Sequence, residues 1–107
     1  MSEIISIFTK IINRQLPAEI IAENDYVIVI KDIAPSAPIH LLIIPKKPFV
    51  AIHDMDKEDF NIYPREIFAM AYHLSRNIPG AEEFKLVMNN GYKAGQRVFH
   101  AHVHFMA

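Results

Sequence analysis

Apolar residues near the start of the chain, Ile4, Ile5, Phe8, Ile11 and Ile12, recur at helical spacing. They predict a short amphipathic helix that stops before Pro17. Two short strands follow, EIIAEN and YVIVIK, joined by a tight turn around Asn24-Asp25; the second is nearly all apolar and is expected to be buried. The prolines make DIAPSAP a loop, and IHLLIIP reads as another apolar strand, closed by Pro45 and Pro48. From Asp54 the period becomes helical, with Ile67, Phe68, Ala71, Leu74, Ser75 and Ile78 on one stripe and Gly80 as the stop. Pro64 either opens this helix in its first turn or kinks a longer one. Residues 83–89 alternate as a strand, Asn90-Gly91 signals a turn, and a last strand from Arg97 pairs back on the first. The sum is an α+β fold: an antiparallel sheet of about five strands, one main helix packed on it and a short N-terminal helix.

The last strand carries the chemistry. Alternate side chains share a face, so Phe99, Ala101, Val103 and Phe105 form an apolar face suited to the core beneath the helix. Val98, His100, His102, His104 and Met106 form the other, with imidazoles about 6–7 Å apart along an open groove. A lone histidine on such a face is most often just a polar surface residue, but three in register with a clean apolar back call for a chemical role. Two chemistries fit them. One is a metal site with an open coordination position. The other is covalent catalysis, in which a neutral imidazole nitrogen attacks an electrophile such as phosphorus. The flanking turn GYKAGQRV favours the second, because glycines let the backbone approach a ligand and successive N–H groups can cradle phosphate oxygens. A histidine-only zinc site would also want carboxylates behind its ligands, and this strand has none.

Composition narrows the setting. A length of 107 residues is one domain, expected to span 1–107, and 51% hydrophobic content is enough for a modest core. The absence of cysteine excludes disulfides, thiolate zinc sites and cysteine nucleophiles. Net charge is -1 and Lys46-Lys47 is the only adjacent basic pair, so nothing points to nucleic acid. No apolar run approaches membrane-spanning length and the N-terminus lacks a secretory pattern, which makes a cytoplasmic location the expectation.

GQRVFHAHVHFM resembles the signature of the histidine triad (HIT) superfamily, in which His-x-His-x-His is followed by two apolar residues. IFTKIINRQLPAEIIAEND and VIKDIAPSAPIHLLIIPKK are similar to the N-terminal half of its Hint branch, the histidine triad nucleotide-binding proteins, and NNGYKAGQRV resembles the segment leading into the triad. Residues 49–82 match only in general character. The resemblance implies a hydrolase of purine nucleoside 5′-phosphoramidates and related nucleotidyl conjugates, working through a nucleotidyl-histidine without metal or other cofactor. Dinucleoside polyphosphate hydrolysis and a nucleotide-binding module with negligible turnover are its neighbouring readings.

By the same resemblance His102 is the nucleophile, with the His100 carbonyl available to accept from its Nδ1–H. His104 contacts phosphate, and His40 supports His100. Asp32 binds the ribose hydroxyls; as an isolated residue it would instead cap its own turn. Phe8, Ile11, Ile30 and Ile33 form the base pocket, and Asn89, Gly95, Gln96, Arg97 and Val98 form the phosphate-side loop, with Gln96 toward the leaving group. Arg97 stands where the branch often has Ser or Thr, and strict alternation turns its side chain toward the core. His53 and His73 match nothing in the motif and are expected to be solvated. The family forms homodimers through the helix and a strand, and usually continues into a C-terminal segment that influences which leaving groups fit; this sequence ends three residues after His104.

Overall fold

The computed structural model describes residues 6–107; the predicted helical positions Ile4 and Ile5 lie outside the described residues. A one-and-a-half-turn helix, α1 (Ile7–Ile12), is capped by Ser6, whose Oγ accepts from Thr9 N–H at 3.0 Å. Strands β1 (Ile20–Glu23) and β2 (Val27–Lys31) form a hairpin. Its turn is held by Asn24, whose Oδ1 accepts from the N–H groups of Tyr26 and Val27. Then come β3 (His40–Pro45), α2 (Lys57–Asn77), β4 (Lys85–Val87) and β5 (Val103–Met106). All pairings are antiparallel, in the order β1-β2-β3-β5-β4, so β1 and β4 are the sheet edges.

Both faces of the sheet are covered, which explains why β2 and β3 read as continuous apolar runs. Val27, Val29, Leu41, Ile43, Val103 and Phe105 face α2, where Ile67, Met70, Ala71 and Leu74 complete the core. Ile28, Ile30, Leu42 and Ile44 face the other way, against Phe8 and Ile11 of α1. His104 pairs with Leu42 across the β3–β5 ladder and therefore shares the α1 face.

Helix α2 starts in a reciprocal cap. Asp56 Oδ1 accepts from Asp59 N–H at 2.8 Å while Asp59 Oδ2 accepts from Asp56 N–H at 3.0 Å. The helix runs through Pro64, its eighth residue, so the proline opens no helix; it only removes one donor from the ladder. The stripe expected from the sequence is half right. Ile67, Ala71 and Leu74 are buried, but Phe68 points outward at 66% exposure and Met70 takes the buried place.

The C-terminal strands are shorter than expected, 85–87 and 103–106 in place of 83–89 and 97 onward. Residues 97–102 leave the ladder, so strict alternation fails there. Ala101 is buried beside Phe49 and Tyr63, whereas Phe99 is 49% exposed rather than in the core. Leu74→Ala is expected to cost about 2–5 kcal/mol in urea unfolding, and Ser75→Ala, one position along the predicted stripe, to stay within about 0.5 kcal/mol.

Candidate active site

A cavity of about 720 Å³ lies between α1 and the outer face of the sheet, a volume suited to a small organic ligand. Phe8, Ile11, Ile30 and Leu42 give it an apolar wall, Asn89, Gly95, Arg97 and Val98 form one rim, and Asp32, His102 and His104 supply polar groups. Ile33 lines it from an almost fully exposed position at the mouth. Gly95 is left-handed at φ 99°, and a Cβ there would meet the Asn89 side chain at 3.4 Å, so this turn takes glycine on two grounds.

The four histidines fall into two hydrogen-bonded sets. In the first, His102 Nδ1 lies 2.8 Å from the His100 carbonyl. A carbonyl only accepts, so the proton sits on Nδ1 and His102 Nε2 carries the free lone pair. The Phe8 ring meets the His102 ring edge-on at 5.0 Å, which fixes its tilt. In the second set, Ser36 N–H donates to His40 Nδ1 at 3.0 Å. That places the His40 proton on Nε2, from which it reaches His104 Nδ1 at 2.9 Å and Asp32 Oδ2 at 3.3 Å. His104, accepting on Nδ1, holds its own proton on Nε2. The site thus offers one imidazole with a free lone pair and a neighbour with an N–H.

Burial pushes the His100, His102 and His104 pKa values below the usual histidine range. For His102 the carbonyl of His100 and the Asp32 charge oppose the shift; for His104 the neighbouring imidazoles of His102 and His40 add to it. All three are therefore neutral near pH 7.

Asp32, His40 and His104 bring three ligating atoms within 4.8 Å of one another, the one such cluster among the described residues. Its chemistry suits a proton rather than an ion. A neutral His40 ligating through Nε2 would carry its proton on Nδ1, against the Ser36 N–H donor. The His100-His102-His104 ligand set also fails, because both His100 nitrogens are bonded inside the protein, one to the Pro45 carbonyl and the other to hydroxyls.

Several expected roles change place. His40 supports His104, not His100. Gln96 does not face a leaving group: at 2% exposure, its Oε1 accepts from Gly91 N–H while its Nε2 donates to the carbonyls of Val50 and Val98. It is the internal brace of the 91–98 loop. Arg97 points outward rather than to the core, donating to the Tyr92 and Gln96 carbonyls and lying 4.5 Å over the Tyr92 ring. Asp32 does cap its turn, through Ala34 N–H on Oδ1, and keeps Oδ2 toward the imidazoles. His53 and His73 are exposed as expected. Sequence reasoning missed Ser6 and Thr9, which meet His100 from more than 90 positions away. A serine just before a helical apolar pattern is a signal for a cap, and nothing in the sequence signals its second partner.

Comparison with known proteins finds similarity along almost the whole chain. The family described as HIT domain matches residues 13–107. An uncharacterised HIT-like protein of Synechocystis is 39% identical over 101 residues, covering 94% of this chain and 88% of that protein. The purine nucleoside phosphoramidase of Escherichia coli K12 is 34% identical over 101 residues, covering 94% and 85%. Among solved structures, a HIT family hydrolase from Clostridium thermocellum superposes with a TM-score of 0.90 at 36% identity, covering 99% of this chain and 92% of that one.

The depressed imidazoles make stability depend on pH. Below the unfolded-state value of about 6.5 the unfolded chain takes up protons that the folded chain refuses, so stability falls as pH drops. Melting temperatures measured from pH 8 to pH 5 should decline below pH 6.5, with a shallower decline in His100→Gln.

Proposed function

The chain belongs to the HIT domain family, and from that membership we propose that it is a hydrolase of purine nucleoside 5′-phosphoramidates and related nucleotidyl conjugates, acting through a nucleotidyl-histidine on His102 without metal. The observation that carries the reading is the 2.8 Å bond from His102 Nδ1–H to the His100 carbonyl, which leaves Nε2 as a nucleophile at the cavity. His102 Nε2 attacks the α-phosphorus, the P–N bond breaks with its electron pair leaving on the amine nitrogen, and the amine takes a proton from solvent. Water then attacks the phosphorus and gives up a proton to solvent, the bond to His102 breaks with its electron pair returning to Nε2, and the nucleotide is released. His104 Nε2–H donates to a phosphoryl oxygen and stabilises the charge that develops there. The apolar wall of Phe8, Ile11 and Ile30 takes the base, and Asp32 Oδ2 accepts from a ribose hydroxyl.

Dinucleoside polyphosphate hydrolysis is the second reading, and Arg97 favours it. Its guanidinium sits at the cavity rim and, among the described residues, bonds two carbonyls and no carboxylate. Its charge is therefore available to an anionic leaving group.

The reading extends to the whole chain as one histidine triad domain over 1–107, a cytoplasmic protein that takes a mononucleotide conjugate as its partner and binds no nucleic acid. No helix among the described residues is long and apolar enough to cross a membrane. We also place a homodimer on the α2–β4 face: among the described residues β4 is an edge of the sheet, and Phe60, Phe68 and Ile52 expose apolar surface beside it.

Purified protein should release amine from an adenosine phosphoramidate at the same rate with and without a chelator. His102→Ala should lower the rate by roughly a thousandfold or more; chelator sensitivity with stoichiometric bound zinc would sink the mechanism. Asp32→Ala should lower kcat/KM by about 10- to 100-fold. Running a dinucleoside polyphosphate in parallel decides between the two substrate readings. In sedimentation, wild type should run as a dimer and Phe68→Asp as a monomer.

A further inference from the structure

The proposed chemistry needs the His102 proton kept on Nδ1, and that depends on where one main-chain carbonyl points. In a regular strand the sheet ladder would aim it. Here β5 begins only at Val103, so the His100 carbonyl belongs to a stretch that no neighbouring strand holds. Two contacts outside the ladder hold it instead: the Ala101 N–H of the same planar peptide unit donates to the Phe49 carbonyl at 2.6 Å, and the His100 side chain anchors the residue itself. His100 is buried at 1% exposure and pinned at both ring nitrogens. Its Nε2–H donates to the Pro45 carbonyl at 2.7 Å, which makes Nδ1 an acceptor. Nδ1 in turn lies 2.9 Å from Ser6 Oγ and 3.2 Å from Thr9 Oγ1. The two hydroxyls are 3.2 Å apart, and Ser6 Oγ also accepts from Thr9 N–H, so each oxygen is held in place by the first turn of α1.

We infer that Ser6 and Thr9 are positioning residues for the nucleophile: through His100, and alongside the Ala101–Phe49 main-chain bond, they hold the carbonyl that sets the tautomer and the aim of His102. The inference rests on the reading of His102 as nucleophile given above. It ties two parts of the site that are far apart in sequence. Helix α1 carries Phe8 and Ile11 on the cavity wall, and the same helix anchors the segment that presents the reacting nitrogen. If the hydroxyls served only to satisfy a buried nitrogen, their removal would lower stability without touching the His102 tautomer.

The test uses the full chain with the double substitution Ser6→Ala/Thr9→Val, the single Thr9→Val, and the conservative exchanges Ser6→Thr and Thr9→Ser. Long-range ¹H–¹⁵N spectra of the resting protein at neutral pH report the His102 tautomer, and steady-state assays with an adenosine phosphoramidate report kcat and KM. Wild type and both conservative exchanges should hold the Nδ1–H form. The double variant should give a mixture of tautomers, with kcat lowered about 10- to 100-fold and KM within about twofold. Thr9→Val keeps the shorter Ser6 contact and should fall between, which preserves the test if the double variant fails to fold. An unchanged His102 tautomer and an unchanged kcat in a folded variant that has only lost melting temperature would overturn the inference. A tautomer that shifts in a protein with no phosphoramidase turnover would uphold the positioning role and sink the functional reading alone.

Discussion

The hydrogen bond from His102 Nδ1–H to the His100 carbonyl is the contact on which the rest of the site depends. An imidazole has two nitrogens and, when neutral, one proton, so whichever nitrogen is bonded to an acceptor leaves the other free to react. The fold spends much of its local structure on this one choice. β3 supplies the Pro45 carbonyl that fixes His100, and the Phe49 carbonyl accepts from Ala101 N–H in the same irregular stretch. Helix α1 closes the arrangement from the other side with Phe8 against the His102 ring.

Two physical demands meet at this place. Catalysis by a neutral imidazole needs low pKa values, which burial provides for His100, His102 and His104. Burial in turn requires that every ring nitrogen not facing the cavity have a partner. The structure meets that requirement with backbone groups wherever it can: the carbonyls of Pro45 and His100 and the N–H of Ser36. Backbone partners cannot rotate to accept where they should donate, so they assign tautomers more firmly than side chains do. The same rigidity sets His40 and His104 in one direction, with the proton of His40 committed to its neighbours and that of His104 left for the ligand.

Much of the architecture was legible in the sequence because it is written in local periods. The apolar runs announced β2 as a buried strand and β3 as another apolar one, and the turn at Asn24 and the stop near Gly80 fell where their chemistry placed them. The triad announced a site, and the resemblance carried by GQRVFHAHVHFM named its family. What the sequence misplaced were contacts set by tertiary packing. Period-2 reasoning put Phe99 in the core and Arg97 toward it, and it failed because the ladder had not yet begun at those residues. Gln96 looked like a ligand-facing turn amide and proved to be a buried brace. His40 was assigned to the wrong histidine because β3–β5 register, which sets it opposite Met106 and beside His104, is invisible in either strand alone. Ser6 and Thr9 gave only the signal of a helix start.

The stereochemical course at phosphorus tests the central claim most directly. With an adenosine phosphoramidate chiral at the α-phosphorus through sulfur substitution, and ¹⁸O water as the solvent, each in-line displacement inverts the centre once. Two displacements through His102 predict a product with net retention of configuration. Net inversion would mean that water attacks the substrate directly, and that the free lone pair on His102 Nε2 serves as a base rather than as the nucleophile.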